Sequence, residues 1–108
     1  MVVGELDLVF HALADGTRRD IVRRVIHAEE SVSGLARHYP MSFAAVQKHV
    51  AILERASLVT KERRGREQVV HGDLAGVRKA ARLLDAYEEL WRHRAAGIER
   101  ILSEKGVD

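Results

Sequence analysis

The chain of 108 residues contains no cysteine. That excludes a disulfide scaffold, a thiolate metal site, a cysteine nucleophile and a thiol redox switch. Proline occurs once and glycine eight times, so collagen-like and low-complexity readings fail. Aromatic residues are scarce, at 5%. No run approaches the roughly 18 apolar residues of a membrane span. The opening Met1–Asp7 carries charge where a signal peptide needs a long apolar core, so a cytoplasmic location is expected. Phosphate-binding glycine loops, zinc-protease motifs and nucleophile elbows are also missing, which leaves little support for an enzyme. The adjacent pairs Glu29-Glu30 and Glu88-Glu89 point in different directions on a helix and suit solvation better than acid/base work. What is present is 46% apolar and 31% charged residues, the profile of a globular chain. The length predicts one domain over residues 1–108.

Net charge is only +2, but it is unevenly distributed. Residues 1–30 carry four basic and six acidic side chains, residues 31–72 seven and three, and residues 73–108 seven of each. The positive excess therefore sits in the middle. Fourteen of the eighteen basic residues are arginine, which suits planar contact with phosphate and guanine. A basic middle between neutral or acidic flanks is the footprint of a chain that meets an anionic polymer.

Hydrophobic spacing gives the elements. Leu6, Val9, Phe10 and Leu13 form one helical stripe over about residues 5–14. Asp15-Gly16-Thr17 interrupts it with capping residues. A second helix carries Ile21, Val22, Val25 and Ile26 and ends near His27. Ser31 offers an N-cap for a short third helix with Leu35 and Ala36. Tyr39-Pro40-Met41 breaks that helix. Ser42 then caps a fourth, with Ala45, Val46, His49, Val50 and Leu53 inward. Leu58–Arg63 and Glu67–His71 read as a hairpin turned at Gly65. A long helix spans about residues 74–102, roughly 40 Å. The expected class is mainly α with a small β-hairpin wing. Two short helices, a compact turn and a hairpin make a winged helix-turn-helix, whose second helix enters the major groove. The DNA-reading part is expected over residues 31–72.

These residues resemble a known family. Ala12–Val22 (ALADGTRRDIV) is similar to the opening motif of the ArsR family of winged-helix repressors. Val32–Ala36 resembles its short helix, Met41–Leu53 its recognition helix, Ala56–Val59 the segment after that helix, and Arg63–Glu67 its wing. The segments cover about residues 10–72 in the right order. The resemblance implies a dimer that represses transcription at a palindromic operator. Three departures stand out. Gly34 replaces an acidic residue, Ser57 replaces the usual glycine after the recognition helix, and Val70-His71 stands where many relatives have tyrosine. Ser57 is expected to strain the helix end.

On the leading end of the fourth helix, Ser42, Phe43, Ala44, Gln47 and Lys48 are the candidate DNA contacts. Gln47 can pair with adenine through two hydrogen bonds, and Lys48 can reach guanine or phosphate. Ser42 caps and can bond phosphate; Phe43 or Ala44 can touch a thymine methyl. His49 is expected to be a satisfied core histidine. Arg63, Arg64 and Arg66 are expected on the phosphate backbone or in the minor groove. Arg18 and Arg19 are expected to work chiefly in capping and ion pairs, and Arg37 to approach phosphate.

The first and last helices keep apolar stripes that a winged helix does not use. Val77, Leu84, Trp91 and Ile98 recur every seven residues, with Ala80, Tyr87 and Ile101 beside them. Leu6, Val9, Phe10, Leu84, Tyr87, Trp91 and Ile98 are therefore the candidate homodimer interface. No cofactor and no metal site are expected, because His93 with Glu89 cannot fill a coordination sphere. The chain thus looks like the metal-free branch of the family. A small-molecule effector among Phe10, Tyr87 and Trp91 stays open. The alternatives are a metal-responsive repressor and a winged helix that serves as a protein–protein interaction module.

Overall fold

The computed structural model describes residues 4–106, with side chains described for residues 4–102. Residues 1–3, the start of the segment read for a signal peptide, and residues 107–108 lie outside them. The elements run α1 (Glu5–Leu13), α2 (Gly16–His27), β1 (Glu30–Ser31), α3 (Val32–Ala36), α4 (Phe43–Arg55), β2 (Val59–Arg64), β3 (Glu67–Gly72) and α5 (Leu74–Gly106). The chain divides into two units, Met1–Arg78 and Lys79–Asp108. Among the described residues no helix is long and apolar enough to cross a membrane.

In the first unit, local chemistry sets each helix start. The Asp7 carboxylate reaches back to the Gly4 amide at 3.2 Å. Asp15 Oδ1 accepts from the Arg18 amide at 3.0 Å, Ser31 Oγ from Gly34 at 3.0 Å, and Ser42 Oγ from Ala45 at 3.1 Å. Each satisfies an amide that the first helical turn leaves without a partner. The core collects Ile21 and Val25 of α2, Val32 and Leu35 of α3, Val46, Val50 and Leu53 of α4, and Val59 and Val70 of the sheet.

The C-terminus of α4 ends in a Schellman pair. Ser57 donates to the Glu54 carbonyl at 3.0 Å and Leu58 to the Leu53 carbonyl at 3.0 Å. Ser57 holds φ at 60°, the left-handed strain its sequence position foretells. The sheet is antiparallel in the order β1-β3-β2. Its third strand, β1, was not expected, because two residues are too short to show a period. Arg64 opposes Glu67, so Gly65 and Arg66 form a two-residue turn. Gly65 takes φ +61°, as a hairpin turn with glycine in its first central position requires.

Two expectations about the helices need correction. Val9 was assigned to an interface between copies, yet it is only 5% exposed within its own chain. Val9 and Ala12 are the buried residues of α1, and Ala12 belongs to the core cluster, so the first helix is part of the winged domain rather than left over. Val77 likewise packs against the core instead of standing in a free seam. In the second unit, by contrast, Leu84, Tyr87, Leu90, Trp91, Ile98, Ile101 and Leu102 are all exposed. The last helix runs four residues beyond the expected end, to Gly106.

The turn between α3 and α4 is tied to α2 by one carboxylate. Asp20 accepts from the Tyr39 hydroxyl at 2.6 Å, from Arg23 at 2.7 Å and from Arg24 at 2.8 Å. These bonds, led by that of Tyr39, hold the Asp20 carboxyl well below its ordinary 3.8. Burial, reinforced by Asp20, pushes the Tyr39 hydroxyl up to about 12. A depressed carboxylate contributes stability that is complete above its unfolded value, near pH 4, and is lost as pH falls through the folded value. Melting temperature should therefore drop on acidification below about pH 4. Asp20→Asn should lower melting at neutral pH and flatten that acid slope; an unchanged slope in the variant would contradict the assignment.

Candidate nucleic-acid interface

The α4 helix is two-faced. Val46, Val50 and Leu53 are fully buried, while Ser42, Phe43, Ala44, Gln47 and Lys48 are exposed. The fixed inner stripe leaves the N-terminal end and one flank of the helix to the outside. Gln47 and Lys48 form no side-chain hydrogen bond or ion pair among the described residues, so both keep their full bonding capacity. Ser42 is already used as the cap, leaving its hydroxyl hydrogen for an acceptor outside the chain. Phe43 exposes 46% of its surface at the same end.

His49 turns the other way and is half-buried. Its Nδ1 lies 3.2 Å from Arg18 Nη1. A guanidinium can only donate, so Nδ1 is the acceptor and the ring keeps its hydrogen on Nε2. Arg18 is the buried charged residue of the core region, 8% exposed. Its Nε donates to the Ala12 carbonyl at 2.7 Å and Nη2 to the His11 carbonyl at 2.9 Å. Arg19 Nη1 donates to the Leu13 carbonyl at 2.6 Å. The paired arginines thus close the C-terminal end of α1, as the capping reading anticipated, and Arg18 also ties that end to α4. This second role has no sequence signal, since Arg18 and His49 are 31 positions apart.

The wing arginines are not equivalent. Side chains alternate across a strand, and residues directly opposite share a face. Lys61 and Arg63 lie on the face of Val59 and Val70, which is the core side. Lys61 Nζ pairs with Glu54 of α4 at 3.5 Å, so this face adjoins the α4 end of the domain. Among the described residues, Arg63 Nε bonds to the Gly65 carbonyl at 3.3 Å within the turn. Arg66 is exposed and has no hydrogen bond or ion pair among the described residues. Arg64, expected with the other two on the phosphate backbone or in the minor groove, projects to the opposite face. There Glu29 takes it in a two-point pair, Nη1 to Oε1 at 2.6 Å and Nη2 to Oε2 at 3.0 Å. Glu62 Oε2 accepts from Nη2 as well, at 3.2 Å. His71 joins them, with Nε2 3.0 Å from Glu62 and Nδ1 3.0 Å from Glu29. Glu29 and Glu30 take different partners, Glu30 lying 3.0 Å from His38, but they sit in the connection and in β1 rather than on a helix, and neither is left to solvent alone.

Elsewhere, Val25, Ile26, Gly72, Asp73, Leu74 and Val77 line an open hollow of about 310 Å³. Phe10 is half-exposed, and Tyr87 and Trp91 are exposed. Arg37 is exposed at the C-terminus of α3. Among the described residues, no group of three His, Asp or Glu is arranged to hold a metal ion.

No protein-family model matches the chain. Individual proteins do. The chain is 35% identical over 102 residues to the HTH-type transcriptional regulator Rv2034 of Mycobacterium tuberculosis, covering 94% of this chain and 92% of that one. Among solved structures, an ArsR-like transcriptional regulator from Rhodococcus sp. RHA1 is 37% identical with a TM-score of 0.79, covering 90% and 92% of the two chains. The winged helix-turn-helix DNA-binding domain Mb0332 of Mycobacterium bovis, solved as a homodimer, shares the fold at 23% identity and a TM-score of 0.64, covering 79% and 80%. With this winged helix-turn-helix, its outward α4 and relatives along nearly its whole length, the chain belongs to the ArsR family of transcriptional regulators.

Proposed function

We propose that the protein is a homodimeric repressor that occupies a two-fold symmetric operator. One observation carries the DNA-reading part: the exposed, unengaged Gln47 and Lys48 at the leading end of a helix whose other face is locked into the core. In this reading α4 enters the major groove. Gln47 pairs with adenine, Lys48 reaches guanine or phosphate, Ser42 bonds phosphate, and Phe43 or Ala44 meets a thymine methyl. Arg63 and Arg66 grip the phosphate backbone beside it. The exposed Leu84, Tyr87, Trp91 and Ile98 of α5 meet the same helix of a second copy, with Phe10 and Leu6 of α1 adding to the interface. Apolar exposure on this scale is what a partner surface supplies, and two-fold pairing of recognition helices matches a palindromic site. A protein of this kind represses by covering a promoter, in the compartment that holds the DNA.

Gln47→Ala tests the groove register. It should weaken binding to the selected site by about 1–3 kcal/mol and binding to random duplex much less, with unchanged folding. Titration of both duplexes by fluorescence anisotropy reads the difference. Equal losses on the two would mean that Gln47 does not face the bases.

A further inference from the structure

The wing contains its own competitor for phosphate. Glu29 arrives from the connection after α2, Glu62 and Arg64 from alternate positions of β2, and His71 from β3. The Glu29 carboxylate meets the Arg64 guanidinium through two parallel bonds, the geometry by which arginine also takes a phosphate group. Glu62 closes on the same nitrogen. With all three nitrogens of Arg64 engaged in four bonds to Glu29 and Glu62, its donors are occupied where a backbone phosphate would need them.

We propose that Glu29 and Glu62 are affinity-setting residues that hold Arg64 off the phosphate backbone, so that DNA must displace two carboxylates before this side of the wing can grip it. The inference rests on the DNA-binding reading above and deepens it. Arg64 is 48% exposed and Glu29 44%, so the cluster lies open to solvent and exchange needs no unfolding. The pull is mutual: Arg64 lowers the Glu29 and Glu62 carboxyls, and they in turn raise the guanidinium. His71 stands beside both carboxylates, with Nδ1 3.0 Å from Glu29 and Nε2 3.0 Å from Glu62. The arrangement divides the wing into two sides. Arg63 and Arg66 are available to DNA at once, whereas Arg64 becomes available in exchange for an internal pair. A wing built this way holds non-specific binding down, because a loosely placed duplex gains too little from the exchange.

The test uses the full chain and a mixed-sequence duplex, titrated over a range of salt. Glu29→Gln keeps the shape and removes the charge. It should tighten binding about fivefold at low salt, the scale of a surface ion pair, and steepen the salt dependence by about one phosphate contact. Glu62→Gln should act in the same direction. In an Arg64→Ala background the gain from Glu29→Gln should vanish, which separates release of Arg64 from a general change in net charge. A gain that persists in that background would overturn the proposal, as would unchanged or weakened binding by Glu29→Gln. Failure of the wild type and every variant to bind any duplex would overturn the DNA-binding reading itself.

Discussion

Arg18→Ala should destabilise the protein by about 3 kcal/mol. Few side chains here do so much at one point. The guanidinium is nearly buried and donates to the His11 and Ala12 carbonyls and to His49 Nδ1. Truncation removes the Arg18 donor from the Ala12 carbonyl and His49 Nδ1 in a place water reaches poorly, while the His11 carbonyl keeps the Ala14 amide at 3.3 Å, and each unmade buried bond costs about 1–3 kcal/mol. Some of that cost is recovered as the cavity relaxes or takes up water. The neighbouring Arg19 provides the control. It bonds one carbonyl and is exposed, so Arg19→Ala should cost about 1 kcal/mol or less. Urea denaturation of both variants checks the contrast. Similar losses would contradict the account of Arg18 as the tie between α1 and α4. DNA binding should also weaken in Arg18→Ala, because His49 lies on the helix that carries Gln47 and Lys48.

Gly76→Ala should be the second large loss, about 3 kcal/mol. Helix propensity alone points the other way, since alanine is favoured over glycine within a helix by about 1 kcal/mol. Packing decides the sign. A Cβ on Gly76 would overlap the Ser57 carbonyl oxygen and lie 2.7 Å from its carbon. Neither side can step aside cheaply. Ser57 is fixed by the Schellman pair at the end of α4, and Gly76 by its bond to Asp73 Oδ1 at 3.0 Å. Gly97 sits in the same helix, where an added Cβ meets nothing within 4 Å. Gly97→Ala should therefore be neutral or stabilising by up to about 1 kcal/mol. Thermal melting of the two variants separates propensity from packing. A stable Gly76→Ala would mean that the α4 end and α5 do not approach as described.

How much of this was legible in the sequence depended on range. Ser31 and Ser42 announced their helices because a cap acts over three residues. Gly65 announced the turn and Ser57 the strained helix end for the same reason. Helical stripes located the buried face of α4, and on α2 they found Ile21 and Val25 but misplaced Ile26, which is exposed, and Arg18, which is buried. The stripe of α1 could be found but not what covers it, so Val9 was given to a second copy when its own chain buries it. β1 was missed because its two residues take their conformation from β3, almost forty positions away. The candidate site divides along the same line. Gln47 and Lys48 follow from the outward face of one helix. The capture of Arg64 by Glu29, 35 positions earlier, leaves no trace in local pattern. Only the fold brings Glu29, in the connection after α2, against the basic wing.

The central claim is that two copies read one symmetric DNA site through α4. The most direct measurement is selection of bound duplexes from a random pool by the purified chain, repeated at low and high salt. A two-fold symmetric motif is expected, with half-sites about one helical turn apart and affinity that falls steeply as salt rises. Enrichment of no motif, with weak binding indifferent to sequence, would contradict the claim and favour a winged helix that meets protein rather than DNA.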